Sequence, residues 1–549
     1  MKRIMFWLSF TATFTGAVFG QSSKLDSRLR EKVRNPGAEK IAVIIQRTVP
    51  GTPVDDAEVV RAGGKILRTF TTLKAQLAEV PVSQLEKLAA KPTVKRISID
   101  EDVVNQAGEP GIVSGAALAT QTYGVTGRGI GIAVIDSGIF LHQDLAKSII
   151  KAVDFVNAGR TGGYDPFGHG THVAGILAGS GANSGGVHKG VATRANLIDL
   201  RVLNGHGSGK TSNVIAAIEW AIANRNATGN DGKTSLNIRI INLSLGHRPY
   251  EAPADDPLTT ICRIAVQKGI IVVAAAGNYG RDSNDNTVYG GITSPGNEPS
   301  VITVGAMTAW ATDSRLDDTV ATYSSRGPTA FDQVLKPDIV APGSRVIAAL
   351  SPNSTLITQN PQLQTDGTYI TLSGTSMAAP VVSGAVALML EKNPRLKPNA
   401  IKAGLMYTAE RRPESPLAIG AGYVNIAGAV NLAANIDTTS LPGQYWILNN
   451  GTGLSYTNMI AAAPVVWSQT ICWADTAFSG NALFYNTIAW NETIVWGETI
   501  VWSDTIVWSD AITSAQTITW DAAATAVEIK GHPSGWDLLG SMTIAWDAW

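Results

Sequence analysis

Leu372-Ser373-Gly374-Thr375-Ser376-Met377-Ala378-Ala379-Pro380 sets one serine at a glycine-preceded turn that opens a long apolar helix. A helix start leaves backbone N–H groups unpaired and carries partial positive charge, so an oxyanion formed beside Ser376 would meet donors already in place. Small residues around the serine leave room for a substrate. Alone, a serine in this position is an ordinary N-cap, and its company decides the reading. Gly131-Ile132-Ala133-Val134-Ile135-Asp136-Ser137-Gly138-Ile139 is a buried-strand run that ends in an acid at a glycine turn, where parallel sheets present catalysts and ligands. Gly168-His169-Gly170-Thr171-His172-Val173-Ala174-Gly175 puts a histidine at the head of a second small-residue helix.

Asp136, His169 and Ser376 stand in the chain order of subtilisin, distinct from that of chymotrypsin and of the α/β-hydrolases. Asn242-Leu243-Ser244-Leu245-Gly246, Ala274-Ala275-Ala276-Gly277-Asn278, Ser324-Ser325-Arg326-Gly327-Pro328 and Lys336-Pro337-Asp338-Ile339-Val340-Ala341-Pro342-Gly343 look like subtilase segments in subtilase order. From about Thr120 to Ala434 the chain therefore resembles a subtilisin-type serine peptidase. The resemblance implies an α/β fold, a subtilisin-like doubly wound parallel sheet flanked by helices.

The roles follow from chemistry. Ser376 is a weak nucleophile that needs a base; the His169 imidazole can take its proton and return it to the leaving amine. Asp136 would hold the imidazole in the useful tautomer. His172 lies in the same motif and is the rival base, but in the resembling family the first histidine of the pair is catalytic. Ser373, Thr375 and Ser137 read as turn or cap residues. A tetrahedral intermediate needs donors, and Asn278, at the end of the strand from Ile270 to Ala276, can supply an amide beside the Ser376 backbone N–H; the plain alternative for Asn278 is a Gly-Asn turn.

An extended peptide binds by pairing its main chain with exposed strand edges. Gly207-Ser208-Gly209 and Ser244-Leu245-Gly246 resemble the strands that flank the substrate in subtilases, and their small residues let another backbone come close. The second strand, with Ala274 to Gly277, would wall the pocket for the residue before the scissile bond. No acid stands in these motifs, so an apolar or broad preference is expected.

The 549 residues are too many for one core. Lys2 and Arg3, the apolar run Ile4 to Phe19 and small residues to Gly20 read as a secretory signal, residues 1–20. Residues 21–40 read as a linker. Residues 41–105 alternate strand-like and helix-like patterns and resemble the inhibitor-type propeptide of many subtilases, with 106–119 as the processing linker. The peptidase domain is set at 120–435. The propeptide would act as intramolecular inhibitor until Ser376 cuts the linker; a permanent N-terminal interaction domain is the alternative. A net charge of -1 argues against nucleic acid as a partner. Two cysteines, Cys262 and Cys472, make no disulfide framework. The chemistry requires no cofactor. His142-Gln143-Asp144-Leu145 resembles a family segment whose acid ligates calcium, making Asp144 and Asn183 candidate ligands of a structural calcium ion.

After Asn435 the character changes. Eleven of the fourteen tryptophans lie between Trp446 and Trp549, with a single Lys, no Arg and nine acids. Asn491-Glu492-Thr493-Ile494-Val495-Trp496 repeats as Gly497 to Trp502 and as Ser503 to Trp508. An even period keeps every Trp on one face of a strand, so residues 436–549 are expected to form a β-rich region. Its tryptophans either fill a small core or stack on sugars. Peptide hydrolysis is expected to survive truncation after about Asn435. The sequence thus implies a secreted or cell-surface serine endopeptidase acting on proteins or peptides, made as a self-processing zymogen, with no transmembrane span in the mature chain. The alternative is a catalytically weak scaffold that binds surfaces or carbohydrate through its Trp repeats.

Overall fold

The computed structural model describes residues 24–105 and 114–436, with breaks at 35, 37–38, 158, 160–161, 311–313 and 366, and beyond them 438, 455–460, 463–473 and 476–478. The segment read as a secretory signal and the three Trp hexapeptides lie outside the described residues.

The N-terminal module consists of α1 (Ser27–Arg34), β1 (Lys40–Arg47), α2 (Pro53–Arg61), β2 (Lys65–Phe70), β3 (Ala75–Pro81), α3 (Leu85–Ala89) and β4 (Val94–Ile99). Its four strands form an antiparallel sheet in the order β2-β3-β1-β4. The strand period of two decides where each side chain goes. Val43 and Ile45 of β1, with Ala78 and Val80 of β3, pack under the module's own helices. Ile44, Ala75 and Leu77 face the other way, into a cluster shared with the peptidase body. The segment read as a linker at 21–40 belongs to this module. Leu25 and Leu29 are fully buried in its core, and Leu25 bridges to Ile97.

A short strand, β5 (Asp102–Asn105), leaves the module, and the peptidase body begins at α4 (Ala116–Tyr123). The body contains β6 (Gly131–Asp136), β7 (Ile149–Asp154), α5 (His169–Ala178), β8 (Asn196–Arg201), β9 (Ser208–Lys210), α6 (Thr211–Ala223), β10 (Ile238–Leu243), β11 (Leu245–Gly246), α7 (Pro257–Gln267), β12 (Ile271–Ala275) and β13 (Ile302–Thr308). It continues with β14 (Thr319–Val320), β15 (Ile339–Ser344), β16 (Val346–Ala349), α8 (Thr355–Gln359), β17 (Tyr369–Leu372), α9 (Thr375–Lys392), α10 (Pro398–Thr408), α11 (Pro416–Ile419) and α12 (Ile426–Asn435). The expected doubly wound sheet is present: β7-β8-β6-β10-β12-β13 run parallel, β15 joins β13 in parallel, and β14 adds an antiparallel edge.

Alternation again assigns the faces. Ile132 and Val134 of β6 point to the cluster under α5 and α9, whereas Ala133 and Ile135 point to the one under α6 and α7. The chain turns from β8 back across β6 to β10, so the strand order reverses at β6. The carboxyl ends of the strands at such a reversal are where open α/β sheets place their sites.

The boundary at 435 leaves out part of this body. β18 (Thr457–Ile460) and β19 (Ala463–Val466) form a hairpin, followed by the buried Trp467. The Trp467 ring stands edge-on to Tyr407 and Tyr456, and its Nε1 donates to Asn458 at 2.7 Å. The backbone N–H groups of Ser468 and Gln469 donate to the carbonyls of Ala409 and Tyr407 at 2.6 and 2.9 Å.

Candidate active site

Asp136 is the last residue of β6 and His169 the first of α5, so sheet and helix bring both to the carboxyl end of the sheet. The Nδ1 of His169 lies 2.8 Å from Asp136 Oδ1, which also accepts from the Ser137 N–H at 2.7 Å. Both side chains are buried, and Asp136 Oδ2 and His169 Nε2 have no hydrogen-bond partner among the described residues. Gly168, just before the histidine, has φ +103°, and a Cβ there would lie 2.5 Å from Ser354 Oγ; only glycine lets α5 begin at this point.

Asp165 anchors this turn. Its carboxylate accepts from Ser137 Oγ at 2.8 Å, Gly168 N–H at 2.7 Å, and the N–H and hydroxyl of Thr171 at 2.8 and 2.6 Å. Burial pushes its carboxyl above the usual range, against the pull of those donors. His172 is turned away from this pair: its Nε2 lies 2.9 Å from the Val346 carbonyl, and burial drives its pKa down to about 3, so it stays neutral.

Ser376 is the second residue of α9 and is fully buried. Gly374 before it adopts φ 153°, ψ 165°, a conformation essentially reserved for glycine. The Ser376 hydroxyl donates to the Ser244 carbonyl at 2.9 Å. Asn278 follows the turn after β12, and its Oδ1 accepts from the Thr375 N–H and the Thr375 hydroxyl, both at 3.0 Å. A backbone N–H can only donate, which fixes the amide with its oxygen toward Thr375. Thr375 Oγ1 also accepts from Gly277 N–H at 3.1 Å, tying the start of α9 to this loop.

The segments read as substrate edges come together around β5. Asp102, Val103 and Val104 pair with Lys210, Gly209 and Ser208 of β9, and Val104 and Asn105 pair with Gly246 and Leu245 of β11, all antiparallel. The last strand of the N-terminal segment therefore fills the gap between the two segments read as substrate-binding. Gly207 precedes β9, with φ +73° and the Phe167 ring where a side chain would be. The helix after β9 is gripped by the module: Asp100 accepts from Ser212 N–H at 2.8 Å and Ser212 Oγ at 2.7 Å at the positive end of α6.

Beside β11, a Cβ on Gly246 would lie 3.1 Å from Thr293 Oγ1, and one on Gly277 would lie 2.7 Å from Thr293 Cγ2. Thr293 thus packs between the two glycines of the expected pocket wall, a residue that the sequence reading missed because it belongs to none of the motifs. Ala274 is fully buried in the cluster with α7, so it backs this wall and does not line it. Thr375 and Asp165 were also missed as members of the site. A threonine beside a serine and an acid four residues before a histidine are legible only as caps.

The candidate calcium ligands are adjacent but engaged with donors. Asp144 Oδ1 accepts from Asn183 N–H at 3.0 Å and Oδ2 from the Tyr369 hydroxyl at 2.7 Å, while Asn183 Nδ2 faces His142 Nε2 at 3.4 Å. Calcium needs six to eight oxygens turned inward. Here both carboxylate oxygens face hydrogen-bond donors, and no group of three His, Cys, Asp or Glu side chains able to hold a metal occurs among the described residues. The residues do not fit the ion.

Comparison with known proteins points the same way as the geometry. Residues 127–424 match the family model described as the subtilase family. Serine protease AprX of Bacillus subtilis (strain 168) is 39% identical over 373 residues, covering 67% of this chain and 81% of that protein. Subtilisin E of the same organism is 35% identical over 371 residues, covering 67% and 83%. The extracellular serine proteinase of Thermus sp. (strain Rt41A) is 33% identical over 358 residues, covering 63% and 74%. Among solved structures, fervidolysin from Fervidobacterium pennivorans has a TM-score of 0.53 at 23% identity, a likeness of fold that covers 72% of this chain and 61% of that one.

Proposed function

The chain belongs to the subtilase family and is a serine protease, and we propose that Ser376, His169 and Asp136 carry its chemistry in a secreted endopeptidase made as a self-processing zymogen. The Ser376 hydroxyl turns from the Ser244 carbonyl to His169 Nε2, which takes its proton as the oxygen attacks the scissile carbonyl. Asp136 Oδ1 holds the proton of Nδ1, keeping Nε2 the base and stabilising the imidazolium that forms. The oxyanion meets the Ser376 backbone N–H and the Asn278 amide, which Thr375 orients. The imidazolium then protonates the leaving amine, and water repeats the sequence to free Ser376. No step passes through a metal.

The observation that carries this reading is the three-stranded ladder β9-β5-β11. A peptide paired in that register has one residue opposite Leu245 and the next opposite Ser244, the residue hydrogen-bonded to the Ser376 hydroxyl. The edges that hold β5 are those a substrate would use, so the N-terminal module both occupies the cleft and offers its own chain for cutting.

The test compares wild type with Ser376→Ala for conversion of the precursor and for labelling by a fluorophosphonate. Wild type should mature within residues 105–119 and label, and the variant should do neither. If both are folded and neither labels, a binding scaffold becomes the better reading.

A further inference from the structure

The main-chain ladder in the cleft says little about which propeptide is accepted. β5 meets β9 and β11 through its main chain, and any sequence can pair that way. Glu219 holds the module through the backbone N–H groups of Thr72 and Leu73, at 2.7 and 3.1 Å, which is also indifferent to side chains. Selectivity needs a contact that fails when the wrong residue is present.

Arg96 of β4 makes such a contact. Its ion pairs cross from the module to the peptidase body. Its Nε and Nη2 lie 2.8 and 2.6 Å from Glu251 Oε2, and its Nη1 lies 3.5 Å from Asp255 Oδ2. Arg96 and Glu251 are 7% and 8% exposed, so both charges are out of water. The rest of the segment is held too: Ser27 Oγ donates to the Tyr250 carbonyl at 2.7 Å, Arg28 lies 4.6 Å above the Tyr250 ring, and Gln46 Nε2 donates to the Asp255 carbonyl at 2.6 Å. Around Glu251 stand Asp26 from the module and Asp256, which caps α7. Burial, helped by Asp256, pushes the Glu251 carboxyl up, and the Arg96 guanidinium beside it holds it down.

We propose that the Tyr250–Asp256 segment of the peptidase body is a receptor for one guanidinium, with Glu251 and Asp255 as its ligands. Arg96 in this receptor decides which propeptide is held and how long the cleaved module stays. This rests on the zymogen reading above. A module without an arginine at that position covers Glu251 without compensating it, and removal of one partner of a buried, hydrogen-bonded pair acts mainly on dissociation.

The experiment uses the full chain with Ser376 intact. After self-cleavage and dilution, the lifetime of the module on the peptidase is read by native mass spectrometry and as the lag before a fluorogenic peptide is hydrolysed. Arg96→Met should shorten that lifetime by about a hundredfold, and Arg96→Lys by less. Adding Glu251→Gln to Arg96→Met should return most of the lifetime, because no buried charge is then unpaired; a merely structural role would make the double variant worse. An Arg96→Met or Arg96→Lys chain with the wild-type lifetime, or a double variant no better than the single, overturns the proposal. A wild type that stays uncut defeats the zymogen reading and the proposal with it. A wild type that is cut and holds its module no longer than Arg96→Met does defeats the proposal alone.

Discussion

Ser244 and Ser376 hold each other by two reciprocal hydrogen bonds: the Ser376 hydroxyl donates to the Ser244 carbonyl at 2.9 Å, and the Ser244 hydroxyl donates to the Ser376 carbonyl at 2.8 Å. The proposed nucleophile is thereby tied to the residue just before β11, the strand proposed to align the substrate, and its hydroxyl is not engaged with His169. Asn242 Nδ2 donates to the same Ser244 hydroxyl at 3.0 Å, so the tie extends to β10.

Ser244→Ala removes one donor and leaves the Ser244 carbonyl in place. The turnover of peptide substrates should fall about fivefold to tenfold, the worth of one ordinary hydrogen bond. Fluorophosphonate labelling, which needs only the activated serine, should persist. Loss of labelling would mean that the tie is essential to activate Ser376.

Asn278→Ala should lower kcat roughly a hundredfold to a thousandfold with little change in KM, since its amide serves only the developing oxyanion. Thr375→Val keeps the backbone donor to Asn278 but loses the hydroxyl that fixes the amide, and a decrease of about tenfold is expected. Steady-state kinetics on one peptide separates the two parameters.

Thr293 stands between Gly246 and Gly277. Thr293→Gly should deepen the pocket and raise kcat/KM for Phe relative to Ala before the scissile bond by at least about tenfold, the scale on which apolar pockets discriminate. A matched series of peptides differing at that residue reads the ratio. An unchanged ratio would place the pocket elsewhere.

Lys402 and Lys336 share the one carboxylate of Asp338, at 2.9 and 2.8 Å. Burial, opposed by Asp338, brings the Lys402 amine down to about 7 from 10.5. The folded chain then binds fewer protons than the unfolded chain between those values, so stability rises with pH across that window and is lost as pH falls through it, by at most about 1.4 kcal/mol per unit. Urea midpoints of the Ser376→Ala protein should climb from pH 7 to 10, and Lys402→Met should flatten the slope.

Truncation after 435 removes the β18–β19 hairpin and Trp467, and should yield an unstable, poorly active body. Truncation after 478 should leave peptide hydrolysis near wild type. Trp467→Ala should cost about 3 to 5 kcal/mol by itself, the usual loss for a large buried aromatic. Chemical denaturation of the three proteins orders them.

Asp136, His169, Asn278 and Ser376 are legible in the sequence because each sits in a local motif whose glycines and small residues the backbone demands. The strands of the module are legible for a similarly local reason: β1 carries the apolar run Ile41 to Ile45, and the turns carry glycine and proline. What is not legible is paired over distance. Arg96 and Glu251 are 155 positions apart, and neither looks unlike a surface charge until both are buried. α1 buries only Leu29, too faint a stripe to distinguish a docked helix from a linker. Trp467 reads as one more tail tryptophan until Tyr407 and Tyr456 are seen around it.

On the zymogen reading proposed above, β5 makes latency a matter of dilution. While residues 106–113 join strand and body, the cleft faces its blocker at an effective concentration fixed by the chain, whatever the amount of protein around it. Once that connection is cut, the same strand is an ordinary ligand, and its occupancy follows mass action. In a crowded volume the enzyme stays quiet; as it spreads, modules leave and do not return, and each freed molecule can digest those of its neighbours. Onset is then autocatalytic, with a lag set by how densely the protein was released.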